Sequence, residues 1–151
     1  MGESSSKPNR PRGWLLVFPA IIVVALVVNG LNPSSRQASL YFLNADRDRL
    51  VAEKRDLPLV GSLEARASLI LEELLLRPFS PELQPLFKQE AHLGSVLHRG
   101  SRLHVEIELP DLASLDIPFS LISKAFEKTL SSALPGAGSL ELYVNGNLVA
   151  D

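Results

Sequence analysis

Eighteen consecutive uncharged residues, Trp14 to Leu31 (WLLVFPAIIVVALVVNGL), constrain this chain more than any other stretch. With Gly13 the run reaches the roughly 18–20 residues that a helix needs to cross a hydrocarbon layer of about 30 Å. Residues 13–31 are therefore predicted to be a transmembrane anchor or an uncleaved signal. Trp14, Leu15, Phe18, Ile21, Ile22, Val24, Leu26 and Val28 are the residues expected to meet lipid. Lys7, Arg10 and Arg12 lie directly upstream, which predicts that residues 1–12 are a basic tail kept in the cytoplasm and that the rest is exported. A cleaved signal has a shorter apolar region and an A-x-A-like exit. The exit here, Val27-Val28-Asn29-Gly30-Leu31, offers only a poor cleavage site, so retention is favoured. Pro19 falls in the first turns, where a bilayer helix tolerates it.

Residues 32–37 read as a polar linker, and residues 38–151 are enough for one compact exported domain. Four basic residues and Glu3 lie within the first 37 positions, which leaves 11 Lys/Arg against 16 Asp/Glu, about −5, beyond them. An acidic domain argues against a nucleic-acid partner. With no cysteine in the chain, neither a disulfide nor an acylated-cysteine anchor is available.

Hydrophobic periodicity supplies the elements. Leu40–Leu43 and Leu50–Leu57 flank a charged loop and predict a hairpin. Ser62 is an expected N-cap for a helix burying Leu63, Ala67, Ile70, Leu71, Leu74 and Leu75 and stopped by Pro78. His92–Val96 and Arg102–Leu109 read as a strand pair with 97–101 as the turn. Leu103, Val105, Ile107 and Leu109 alternate with His104, Glu106 and Glu108. A second helix after Pro118 is predicted to bury Phe119, Ile122, Phe126, Leu130 and Ala133. Ser139–Val144 is a final strand, and Asn145-Gly146 a tight turn into a short return at Leu148-Val149. Two amphipathic helices with one mostly antiparallel sheet predict an α+β two-layer sandwich.

Little in the chain suggests catalysis. A hairpin turning at Arg99-Gly100 would set His104 opposite Ser95 and His92 opposite Ile107, so the evenly spaced His92, His98 and His104 do not converge on a metal. No phosphate-cradling glycine loop, zinc-protease motif or nucleophile elbow is present. Glu72-Glu73 and Glu106/Glu108 read as solvated surface carboxylates. No catalytic residue, cofactor or metal is predicted. Arg55 stands out on the Leu50–Leu57 strand, near Glu53 and Asp56. A local ion pair with a packed stem is the favoured reading, a partner contact the other.

From about Leu40 to Gly146 the chain resembles the GerMN domain of bacterial sporulation and spore-germination proteins. The likeness is carried by the aromatic pair Tyr41-Phe42, the Val51-x-x-x-Arg55 strand, Leu74-Leu75 before Pro78, and a closing strand from Tyr143 to Gly146. Arg77 stands where the family usually has glycine before the proline. The resemblance implies a membrane-tethered extracytoplasmic domain that works by protein association in the cell envelope. The expected reading is a non-enzymatic interaction or assembly module, with homo-oligomers among its expected assemblies. A domain binding a cell-wall polymer or lipid is the alternative, and a small carboxylate-dependent hydrolase ranks third.

Overall fold

The computed structural model describes residues 35–149, so the tail, the apolar run and the residues expected to meet lipid lie outside the described part. Among the described residues no helix is long and apolar enough to cross a membrane.

Two strands open the domain, β1 (Arg36–Leu43) and β2 (Leu50–Leu57), paired antiparallel from Leu43↔Leu50 to Arg36↔Leu57. β1 starts inside the segment expected to be linker. Arg36 and Gln37 have ladder partners in Leu57 and Asp56, so their polarity does not keep them out of the strand. Ala38, Leu40 and Phe42 are fully buried on one face. The loop closes on Asn44, whose side-chain carbonyl accepts from Asp48 and Arg49 N–H at 3.1 Å each, an Asx-type turn.

Helix α1 (Leu63–Leu75) begins as expected, with the Ser62 hydroxyl accepting from Ala65 N–H. Ala67, Ile70, Leu71 and Leu74 are buried, while Leu63 and Leu75 are only partly covered. Leu76 is already extended, and the chain runs through Pro78 into a connector. There Gln84 exchanges hydrogen bonds of 2.8 and 3.1 Å with Leu43, tying the connector to the end of β1.

A second sheet has the order β3-β4-β5-β6, from His92–Arg99, Arg102–Glu108, Ser139–Val144 and Asn147–Leu148. The one sheet expected is thus two, because β1 and β2 pair only with each other. The predicted turn at 97–101 also shrinks. β3 continues to Arg99, which pairs with Arg102 across Gly100-Ser101, so His104 lies opposite Leu97 rather than Ser95. Gly94 is an extra residue between Leu93↔Ile107 and Ser95↔Glu106, and the bulge brings His92 opposite Glu108. β4 and β5 are parallel, joined through a 3₁₀ turn at Leu112–Ser114 that the sequence reading missed and through helix α2 (Phe119–Ala133). A parallel pair needs such a crossover. The start of β5 needs Gly138: its φ is +85°, and a Cβ there would overlap the Ser101 carbonyl, which accepts from Ser139 N–H.

α2 buries Ile122, Ser123, Ala125, Phe126, Thr129 and Leu130. Phe119, expected inward, is 41 % exposed, since as the first helical residue it lies at the rim. Ala133 is only partly buried. α2 packs on β1 and on α1, and α1 packs on β3. The core of this α+β domain joins Leu40, Phe42, Leu74, Leu103, Val105, Ile107, Phe126 and Leu142.

Candidate functional site

Arg55 is 4 % exposed, at a depth where a guanidinium needs complete pairing. Its partners come from three segments. Glu53, two residues away on β2, lies 2.8 Å from it; the Glu73 carboxylate of α1 also lies at 2.8 Å. The Arg77 and Glu73 carbonyls accept from it at 2.8 and 3.2 Å. Its guanidinium carbon lies 5.3 Å from the Phe42 ring centre and 3.9 Å from that of Phe79. The plane of the group thus lies between two aromatics while its donors hold the exposed end of α1. Asp56, the other expected partner, is exposed, and alternation puts it on the opposite face of β2. Glu73, read as solvated, is a clamp residue. The Glu53 carboxylate also accepts from Phe79 and Ser80 N–H at 3.0 and 2.9 Å. Burial acts to raise its pKa, but the N–H donors of Ser80 and Phe79 and the Arg55 charge overcome this and hold it below the ordinary 4.5.

The second constellation occupies the face of the four-stranded sheet opposite its buried residues. Leu103, Val105 and Ile107 point into the core, so His104 and Glu106 point out, beside Leu97 and Ser95 of β3 and Glu141 and Tyr143 of β5. Glu141 organises this face. It pairs with Arg102 at 2.6 Å and His104 at 3.0 Å, and accepts from the Tyr143 hydroxyl at 3.3 Å. The His104 and Tyr143 rings stack with centres 6.3 Å apart. Burial, then the Glu141 charge and hydrogen bond, push the Tyr143 phenol above 10.0 against the pull of Arg102. Leu97 is 47 % exposed, and a groove of about 310 Å³ runs between it and Tyr143, bordered by Arg99 and Gly146. The face thus sets fixed aromatic and charged groups around an exposed apolar side chain.

The residues singled out from sequence fall into both places. Phe42, Arg55 and the end of α1 after Leu74-Leu75 meet at the clamp, with Pro78 directing the chain to Phe79. Val51 pairs with Phe42 on the same hairpin. Tyr41 points the other way, its ring under the Lys128 ammonium at 5.4 Å. Tyr143 and Gly146 border the groove. Sequence reasoning missed Phe79 and the Leu97–His104–Glu141 grouping. Phe79 sits in an irregular connector without periodicity, and the grouping depends on the parallel β4–β5 register, which no local pattern encodes. His92 lies 3.7 Å from Glu90, away from His104, and no group of three metal-binding side chains occurs among the described residues.

No family model and no curated protein matches this sequence. The structure is similar to the first GerMN domain of the sporulation protein GerM from Bacillus subtilis, with a TM-score of 0.59 at 13 % identity over 76 % of this chain and 86 % of that one. It is also similar to the tandem GerMN domains of that protein, with a TM-score of 0.54 at 13 % identity over 76 % of this chain and 41 % of the other. The described residues have the GerMN fold, as the resemblance read from Tyr41-Phe42, Arg55 and Leu74-Leu75 implies.

Proposed function

We propose that this protein is anchored in the cytoplasmic membrane through residues 13–31, N-terminus inside. Its exported GerMN-type domain then serves as a non-catalytic protein–protein interaction module of the bacterial envelope. One observation carries the interaction reading: the helix-free sheet face presents Leu97 beside the His104–Tyr143 stack, with Glu141 and Arg102 fixing the polar groups around it. Preorganised aromatic and arginine groups around an apolar centre are the composition of interface hot spots. The fold shared with a domain of a sporulation protein supports an envelope role of this type. The acidic domain disfavours nucleic acid as the partner.

Two measurements test the reading. Carbonate-washed membranes of expressing cells should retain the full-length chain with an intact N-terminus; a soluble product beginning near Leu31 would overturn the anchor. A photoreactive residue at Leu97 should give a discrete protein adduct in intact cells, lost on Tyr143→Ala. The same probe at exposed Lys124 should give none. Equal labelling from both positions would overturn the assignment of this face.

A further inference from the structure

The β1–β2 sheet treats its two edges differently. On the β1 edge, Tyr41 N–H donates to the Thr129 hydroxyl at 3.0 Å and the Ser39 carbonyl accepts from Ser132 at 3.1 Å, so α2 seals that edge with side-chain hydroxyls. These contacts fix the ladder. Ser39 and Tyr41 turn their main-chain groups away from β2, so their partners Lys54 and Ala52 form non-hydrogen-bonded pairs and point their own N–H and C=O to the opposite edge. Asp56, two residues on, does the same. Among the described residues none of these three has a main-chain partner on that side.

We propose that the open edge of β2 pairs antiparallel with β2 of a second copy, with Lys54 of each chain opposite Asp56 of the other. Charge selects this occupant and this register. Lys54 and Asp56 share the exposed face of β2, and a two-fold axis at Arg55 sets each against its opposite twice over. A shift by two residues in one direction places Lys54 opposite Lys54, and a larger one places Glu53 opposite Glu53; like charges directly opposed are unfavourable. In the selected register the two Arg55 side chains face each other, but each is already held by Glu53 and Glu73 of its own chain. Pairing forms about four main-chain hydrogen bonds and turns two hairpins into one four-stranded sheet. Apolar surface borders the same strand: Phe79, 78 % exposed, stacks on Arg55 and donates its N–H to Glu53. The surface is distinct from the groove at Leu97, so either assignment can fail without the other.

The test uses cysteine pairs, which the cysteine-free chain makes unambiguous. Full-length K54C and D56C chains in detergent micelles are oxidised separately and as a mixture. Hydrogen-bonded pairs lie about 5.5 Å apart at Cα, within disulfide reach. The mixture should form at least five times more disulfide dimer than either chain alone or than a S120C control on α2. K54C crosslinking to itself in preference would overturn the register, and a mixture no better than S120C would overturn the pairing. In the cysteine-free background K54D should abolish the concentration-dependent dimer and K54D/D56K should restore it. Dimer surviving K54D, or lost in the double exchange while the far-ultraviolet spectrum is native, would also overturn the proposal.

Discussion

Replacing Arg55 by alanine should destabilise the domain more than any other change to a charged side chain. The guanidinium is 4 % exposed, and its removal leaves the Glu53 carboxylate, 11 % exposed, without its countercharge. Breaking one side of a buried ion pair costs about 3–5 kcal/mol. Phe79 and Ser80 N–H still serve Glu53, which moves the expectation toward the lower figure. The Arg77 and Glu73 carbonyls lose a donor and the two aromatic faces lose their cation, contributions of about 1 kcal/mol each that move it back up. At a few degrees per kcal/mol for a domain of this size, the midpoint should fall by about 10–20 °C. Arg55→Lys should recover less than half, because an ammonium cannot serve two carboxylates and two carbonyls in one plane. The assay is thermal unfolding of the full-length chain in a mild detergent, followed by far-ultraviolet circular dichroism. A double-mutant cycle locates the energy. Arg55 with Glu53 should couple by about 1.5–3 kcal/mol, and Arg55 with Asp56, across the strand, by less than about 0.5 kcal/mol. A loss below 1 kcal/mol for Arg55→Ala, or stronger coupling to Asp56 than to Glu53, would refute the clamp.

Two further outcomes follow from the same hairpin. The Glu53 pKa is lowered on folding, so its contribution is complete above the ordinary value of 4.5 and is lost as pH falls through that value toward the folded one. Glu53→Gln should therefore be less stable at neutral pH and show a flatter decline in acid, which midpoints measured from pH 7 to 3 will reveal. Thr129 is fully buried and its hydroxyl accepts the Tyr41 N–H, so Thr129→Val leaves that donor unsatisfied at about 1–3 kcal/mol. Thr129→Ser, which keeps the acceptor, should lose less; equal losses in denaturant titrations would mean that packing rather than the hydrogen bond is at stake.

The elements that were legible in sequence are those whose signal is local. α1 shows its cap at Ser62 and its apolar face, and β4 and β5 show their alternation, so their bounds were predictable within a residue or two. What failed depends on pairing across distance. Arg36 and Gln37 are strand residues because β2 reaches Leu57 beside them. The β3–β4 turn tightened to Gly100-Ser101, and the bulge at Gly94 shifted the register again, so two local decisions moved every facing pair along the hairpin. The parallel β4–β5 pair follows from the crossover through α2, and the separation into two sheets from β1 and β2 pairing only with each other, and no alternation pattern records either.

The same distinction explains why Arg55 could be singled out but not understood. A cation on a strand bounded by apolar residues is visible in one dimension, and it demands countercharge wherever it is buried. Its nearest acids in sequence were Glu53 and Asp56, and strand alternation alone could have decided between them: residues two apart share a face and adjacent ones do not. Glu73, Arg77 and Phe79 enter only because α1 ends over β2 and its exit crosses the guanidinium. Once they enter, one side chain satisfies the Glu73 carbonyl in the last turn of a helix that carries no basic residue there, together with the Arg77 carbonyl just beyond it, and joins the helix end to the hairpin. The helix end and the hairpin should consequently unfold together. Amide exchange at Leu76 and Phe79 should then slow or quicken with that of β2 in every Arg55 and Glu53 variant, and independent rates would show that the joint does not couple them.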